Sequence, residues 1–175
     1  MQMKDKFTVV DGHVHTFSSD EVAYKILTAF NKMYNIEFPN PGTGTVDDVL
    51  QNMEKIGIDF TIMANFAPAK IIHKNNTWSI EMASQYKGLV PLVSFHPDMQ
   101  EPMDKLMEEY ILCGAKGIKF HPMAQGFLPY DDRLEIVYRI CEEASFPIVF
   151  HCGRVSNARL NNYADIENIV PVIKK

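Results

Sequence analysis

The chain has 175 residues, of which 46% are hydrophobic and 22% charged, and its formal net charge is −5. These proportions are ordinary for a globular protein and exclude disordered, collagen-like and disulfide-scaffold classes. The lack of a basic tract argues against nucleic-acid partners, and no apolar run reaches the roughly 20 residues of a membrane span. The start of the chain has no signal-peptide pattern and the cysteines are odd in number, so we expect a reduced, cytoplasmic protein.

The first predicted strand begins with the β-rich run Phe7–Val10 and ends in Asp11–His15, and the longest connection in the chain follows it. This connection, at about 16–57, has the form of an insertion, and apolar spacing predicts a helix over 22–30 within it. A second helix is expected to begin after Thr45, a suitable N-cap, and to end at Gly57. Insertions of this kind often cover a site at the strand ends, and the alternative is a passive surface loop.

The rest of the chain alternates short apolar runs with helical patterns. In chain order these are the strand Ile58–Met63, a helix over 76–87, the strand Leu89–Phe95, a helix over 102–114, the strand Gly117–Phe120, a helix over 132–144 with a capping box at Asp132 and Glu135, the strand Pro147–Phe150, and a helix over 161–175 interrupted by Pro171. Such alternation predicts an α/β fold with a mainly parallel sheet and right-handed crossovers.

Histidines follow the predicted strands. Of the six in the chain, the five at or just beyond a strand end are His13, His15, His96, His121 and His151. The carboxyl ends of parallel strands form the edge at which ligands and catalytic groups gather in α/β folds. The sixth, His73, lies in a polar segment that predicts a surface or loop position.

The pair His13 and His15 has the spacing of a metal site. Residues i and i+2 of a strand face the same side, so both imidazoles can reach one ion. His151 is the natural third ligand from another strand, and Asp11 shares their parity and is a candidate to orient one of them. The alternative is that these histidines only cap strand ends by hydrogen bonding.

Lys119 and His121 are also separated by two and should point the same way. A desolvated lysine at such a position serves as a base, a Schiff-base former or an anion binder, and the alternative is a lysine paired with a carboxylate. His96 is a candidate for substrate contact or for a structural role, and Arg154 for contact with a substrate carboxylate. Cys152 is expected to be a buried, inert thiol.

The segment Val9–His15 resembles the first-strand motif of the amidohydrolase superfamily. Together with Gly117–Pro122 and Pro147–His151, it is similar to the amidohydrolase-related family of metal-dependent TIM-barrel enzymes. The resemblance implies one partial domain over residues 1–175, an incomplete (β/α) barrel holding the first five of eight strand–helix units. A complete barrel takes about 250 residues.

The resemblance implies a metal-dependent hydrolase in which a metal-activated water attacks a C–N or C–O bond of a small substrate. His13, His15 and His151 would be ligands of a divalent ion, zinc first and manganese or iron as alternatives. Lys119 and His121 match the fourth-strand motif and are assigned to substrate contact rather than to a carbamylated-lysine bridge. A non-oxidative decarboxylase on the same metal site is the enzyme alternative.

The family places a further histidine on strand six and a catalytic aspartate on strand eight, both beyond residue 175. A third interpretation is therefore a truncated half-barrel without activity of its own. An incomplete barrel has two open sheet edges and exposed apolar surface, which favour self-association.

Overall fold

The computed structural model describes residues 7–35, 37, 42–153, 161–163 and 165–174. Its centre is a parallel sheet with the strand order β1-β2-β3-β4-β5. The strands are β1 Val10–Val14, β2 Phe60–Met63, β3 Leu89–Val93, β4 Gly117–Phe120 and β5 Ile148–Phe150. The predicted incomplete α/β barrel is confirmed as a half-barrel of parallel strands. All the strands therefore end at the same edge of the sheet.

Helices connect the strands. Those between the strands are α1 Asp20–Tyr34, α2 Val46–Ile56, α3 Ile72–Gln85, α4 Met103–Leu112, α5 Pro122–Gln125 and α6 Glu135–Glu143, and α7 Val170–Ile173 follows β5. Two of them, α1 and α2, lie in the connection between β1 and β2. The predicted ends of α2 are confirmed, since Thr45 caps it by accepting a hydrogen bond from a backbone amide and Gly57 ends it with a φ of 88°. None of the described helices has the length and apolar character needed to cross a membrane.

The first strand begins later than the sequence predicts. The apolar run Phe7–Val10 lies mostly before β1, and the polar segment that follows it forms the strand. The reason is pairing with β2, whose register runs from Val10 opposite Phe60 to Val14 opposite Met63. The register shifts between Asp11 and Val14, as at a β-bulge or a similar irregularity of the strand. Bulges of this kind redirect side chains at the edges of sheets and beside sites.

Two helices begin at other residues than the sequence predicts. Because α3 begins at Ile72, His73 lies on a helix and not in a loop. His73 is exposed, and its Nδ1 shares a hydrogen bond of 2.7 Å with the Tyr110 hydroxyl on α4. The 3-10 turn before α6 is capped by Asp131 and not by Asp132, because the Asp131 carboxylate accepts the backbone hydrogen bond there.

The main hydrophobic core lies between the sheet and α3, α4 and α6. Its fully buried side chains include Phe95, Met107, Ile118, Phe120 and Leu134. Complete burial of a side chain of this size contributes about 1.5–3 kcal/mol to stability. Side chains alternate along β4, so Lys119 points away from the face on which Ile118 and Phe120 join this core. The core therefore fixes the strand ends and turns Lys119 towards the inside of the half-barrel.

Candidate functional site

Five of the six histidines lie at the carboxyl edge of the sheet. His13 is near the end of β1 and His15 follows it, while His96, His121 and His151 follow β3, β4 and β5. The rings of His13 and His15 meet edge to face with centroids 5.0 Å apart. Those of His121 and His151 are stacked with centroids 3.8 Å apart. We call these four residues (13, 15, 121 and 151) the imidazole cluster.

Asp11 lies at the register shift of β1. Its Oδ1 accepts a hydrogen bond of 3.2 Å from the backbone amide of His13. Among the described residues, Asp11 makes no hydrogen bond to an imidazole nitrogen. Its influence on the cluster is electrostatic, since its negative charge raises the pKa of His13 against the larger lowering by burial. Asp11 therefore orients the chain that carries His13 rather than the ring itself.

Phe66 joins the two halves of the imidazole cluster. It lies in the segment after β2, and its ring centroid is 5.5 Å from that of His15 and 4.5 Å from that of His121. No motif in the sequence marks this phenylalanine as a functional residue. The only signal is its position just beyond the end of a predicted strand, and an aromatic residue there is equally compatible with the core.

Lys119 is 0% exposed, and its Nζ has no hydrogen-bond partner among the described residues. Burial lowers the pKa of its ammonium group to about 8. A buried polar group without a partner is destabilising and is usually explained by strain, catalysis or an absent ligand. Lys119 is thus a desolvated cation whose Nζ has no carboxylate or other hydrogen-bond partner among the described residues.

The imidazole cluster is uncharged at neutral pH. Burial lowers the pKa of His15 and of His151 to about 4 and that of His121 to about 2, and the positive charge of Lys119 acts in the same direction. The pKa of His13 is also lowered, first by burial and then by Lys119. Neutral imidazoles are the protonation state in which histidine binds divalent metal ions.

The hydrogen bonds of His121 select one tautomer. Its Nδ1 accepts a hydrogen bond of 3.2 Å from the Ala124 amide at the start of α5. Because a backbone N–H can only donate, the proton of the neutral ring lies on Nε2. His121 therefore presents an N–H donor, whereas a ligand of a metal ion needs a free lone pair.

His96 is held by the backbone on both sides of its ring. Its Nδ1 accepts from the Asp98 amide at 3.0 Å, so its Nε2 carries the proton and donates to the Gln125 carbonyl at 3.0 Å. A substrate contact from His96 requires one of these bonds to break.

Gln125 connects the ends of three strands. Its Oε1 accepts from the amide of His121 at 2.9 Å, and its Nε2 donates to the carbonyl of Ala67 at 3.0 Å and to Ser94 Oγ at 3.2 Å. The segments after β2, β3 and β4 are thereby held together by one side chain. No pattern in the sequence marks a glutamine in a short helix for this role.

Two predicted residues fall elsewhere. Arg154 lies outside the described residues. Cys152 is exposed, not buried as predicted, because β5 ends at Phe150 and the alternation of faces does not extend past it.

The donor atoms of the cluster suit a divalent ion. His13, His15 and His151 offer neutral nitrogens, and no proton has to leave them at neutral pH. Within the described parts of the chain, however, no three His, Cys, Asp or Glu side chains are already gathered in a metal-binding arrangement. The donor chemistry fits the ion, and the described residues supply part of a site rather than a closed one.

Comparison with known proteins gives a family and a fold. A family model described as amidohydrolase matches residues 10–173. The comparison with curated proteins gives no match.

Solved structures with the same fold include an uncharacterized TIM-barrel protein from Bordetella bronchiseptica, with 17% identity, a TM-score of 0.66 and coverage of 96% of this chain and 63% of that one. A second structure is a mutant 5-carboxyvanillate decarboxylase from Novosphingobium aromaticivorans with bound manganese and 3-methoxy-4-hydroxy-5-nitrobenzoic acid. Its identity is 13%, its TM-score is 0.64, and the match covers 99% of this chain and 56% of the decarboxylase. A third is a probable 2-pyrone-4,6-dicarboxylic acid hydrolase from Acinetobacter baumannii with citric acid bound. Its identity is 15%, its TM-score is 0.55, and the match covers 83% of this chain and 50% of the hydrolase. This chain thus spans about one half to just under two thirds of these proteins.

Proposed function

Because this chain belongs to the amidohydrolase family, whose model matches residues 10–173, we propose that the protein is a metal-dependent hydrolase. Its reaction is the cleavage of a C–N or C–O bond of a small substrate by water. The observation that supports this most directly is the group of neutral imidazoles beside Lys119, which is buried and has no hydrogen-bond partner among the described residues. Uncharged metal-binding nitrogens and a desolvated cation at one sheet edge suit hydrolysis of a polar or anionic substrate.

In this proposal His13, His15 and His151 hold the divalent ion, zinc in the first place and manganese or iron as alternatives. Such an ion supplies a bound water whose pKa is near neutrality. Asp11 holds the backbone at His13 in place by accepting the hydrogen bond of its amide.

Lys119 and His121 contact the substrate. The Lys119 ammonium is desolvated and attracts a carboxylate or a developing negative charge strongly. His121 donates from Nε2 to a substrate oxygen, since its Nδ1 is occupied by the Ala124 amide. Arg154 follows β5 in the sequence and is proposed to meet a substrate carboxylate. His96 would add a substrate contact if its Nε2 left the Gln125 carbonyl.

The test is product analysis with the full-length protein loaded with zinc or manganese, using a panel of amides, esters and lactones with and without a carboxylate. In water enriched in oxygen-18, hydrolysis places the label in the product. We expect turnover that needs the metal and is lost in His15→Asn. Turnover that persists in His15→Asn and is independent of metal would refute the proposal.

The decarboxylase alternative rests on the same Lys119, because a buried cation suits a substrate carboxylate. Carbon dioxide release without incorporation of label would replace hydrolysis by this lyase reaction.

A third candidate is a half-barrel that has no activity by itself. Within the described sheet, β1 pairs only with β2 and β5 only with β4. Phe7 and Val10 near the β1 edge are more than half exposed. We therefore propose that this chain alone self-associates through its open edges, measurable by light scattering. A monomer that unfolds cooperatively would contradict this proposal.

The proposed location is the cytoplasm. The three cysteines are all free, in keeping with a reducing compartment. Thiol titration of protein isolated from its native cells should find all of them reduced, and a disulfide would contradict the assignment.

A further inference from the structure

A cavity of about 420 Å³ opens beside His15, between α1 and α3. Its wall is mainly apolar and aromatic. The side chains that form most of it are Val22, Ile26, Phe30, Phe66, Ile71 and Trp78. Ligand pockets in proteins have volumes of about 300–1,000 Å³, so the cavity has the size of a binding site for a small molecule.

The cavity is continuous with the imidazole cluster. Phe30 on α1 is stacked with Phe66, with centroids 6.2 Å apart and planes 28° apart. The same Phe66 contacts His15 and His121. A group bound against Phe30 and Phe66 therefore lies next to the side chains proposed to act on the substrate.

The polar residues of the cavity offer little to a charged group. Asn65 uses its Oδ1 for the Thr16 amide and its Nδ2 for the hydroxyls of Thr16 and Ser79. The Gln125 amide is engaged by the strand ends. The side-chain Nδ2 of Asn75 is buried and has no partner among the described residues. No acidic residue is among the described residues that line the cavity, and its one cation, Lys74, is exposed.

We propose that this cavity binds an uncharged, ring-sized apolar group of the substrate, with Trp78 and α1 setting the largest group it accepts. An apolar cavity of about 150 Å³ already holds benzene, so this larger one has room for a substituted ring. As a statement about the substrate the inference rests on the proposed function. As a statement about binding it does not, because no metal takes part.

Trp78 is the only tryptophan of the chain, so its emission reports on the cavity. We would titrate the full chain with methyl benzoate, an uncharged ring, with benzoate, and with methyl acetate, which lacks the ring. Free N-acetyltryptophanamide corrects for collisional quenching. Methyl benzoate should give a saturable change with an affinity at least about tenfold above both other probes. Equal affinities, or changes that match those of the free tryptophan compound, would overturn the inference.

Two substitutions on α1 form a matched pair. Both Ala29 and the preceding Thr28 are exposed, but only Ala29 is part of the cavity wall. Ala29→Phe should fill the space and weaken methyl benzoate binding by about tenfold or more, and Thr28→Phe should change it by less than about twofold. Circular dichroism verifies folding, and Ala29→Leu replaces Ala29→Phe if the latter does not fold. Equal effects of the two positions would overturn the inference.

The outcomes separate the two proposals. Metal-dependent turnover without saturable binding of methyl benzoate would contradict the cavity proposal and support the hydrolase proposal. Saturable binding in a protein without metal-dependent turnover does the reverse.

Discussion

The imidazole of His121 lies flat on that of His151, with ring centroids 3.8 Å apart and ring planes 11° apart. Two imidazolium ions at this separation would repel each other strongly. The stack is therefore a contact between neutral rings, in keeping with pKa values of about 2 for His121 and about 4 for His151. It joins the end of β4 to the end of β5.

The first prediction concerns the tautomer of His121. Because its Nδ1 accepts a hydrogen bond from the Ala124 amide, nitrogen-15 NMR at neutral pH should show a protonated Nε2 and an unprotonated Nδ1. His96, whose Nδ1 also accepts a backbone amide, provides an internal reference with the same tautomer. A proton on Nδ1 of His121 would leave its Nε2 free for a metal and contradict the donor role proposed for it.

The second prediction is acid lability. A histidine whose folded pKa is lowered contributes stability that is present above its unfolded pKa of about 6.5 and is lost as the pH falls towards the folded value. The pKa of His15 in the folded chain is about 4, mainly because of burial. Its protonation should lower the free energy of unfolding by about 3 kcal/mol over this range. Urea denaturation of the metal-free chain between about pH 7 and pH 4 measures the loss. His15→Gln should reduce the loss between these pH values by about this amount and leave the part that comes from His121 and His151. An unchanged slope would contradict the assignment.

The third prediction is that Lys119→Met stabilises the chain. The buried ammonium has its pKa lowered from 10.5 to about 8, so at pH 7 its burial costs about 3 kcal/mol, a cost that disappears as the pH rises through this interval. Methionine keeps the apolar stem without the charge. Urea denaturation should show a gain at pH 7, while Lys116→Met, at an exposed position, changes little. The pKa values of His13 and His151 should rise in the variant, since the lysine charge lowers both. Destabilisation by Lys119→Met would show that Nζ has a partner in solution.

The fourth prediction concerns Gln125. Gln125→Leu removes the side chain that connects Ala67, Ser94 and His121, and it leaves the His121 amide without its acceptor. Each unsatisfied buried group costs about 1–3 kcal/mol, so we expect a loss of about 3 kcal/mol in the free energy of unfolding. Gln85→Leu is the matched control, because Gln85 is exposed and makes only a 3.5 Å contact with Glu81. Similar losses in the free energy of unfolding from the two variants would contradict the stabilising role of the Gln125 hydrogen bonds.

The sequence was sufficient for the features that follow from parallel strands. Once the strands were located, His121 and His151 had to fall at one edge, and the alternation of faces along β4 separated Lys119 from the core. The insertion helices were predictable from apolar spacing, and the ends of α2 from Thr45 and Gly57.

The rest depends on contacts between distant segments. Phe66 and Gln125 owe their positions to the folded arrangement of the loops after β2 and β4, which no local pattern encodes. The predicted start of β1 at Phe7 is wrong because pairing with β2 selects the polar segment rather than the apolar run before it. The predicted burial of Cys152 is wrong because side chains alternate between faces only within a strand, and β5 ends at Phe150.

Elemental analysis of the full-length protein purified without chelators tests most directly whether His13, His15 and His151 bind a divalent ion. Wild type and His73→Asn, whose histidine lies on α3 outside the cluster, should retain stoichiometric zinc, manganese or iron. The double variant His13→Asn/His15→Asn should lose the metal while keeping its folded circular dichroism spectrum. Equal metal content in the double variant and the wild type, or a wild type that takes up no metal when zinc and manganese are supplied, would contradict the account.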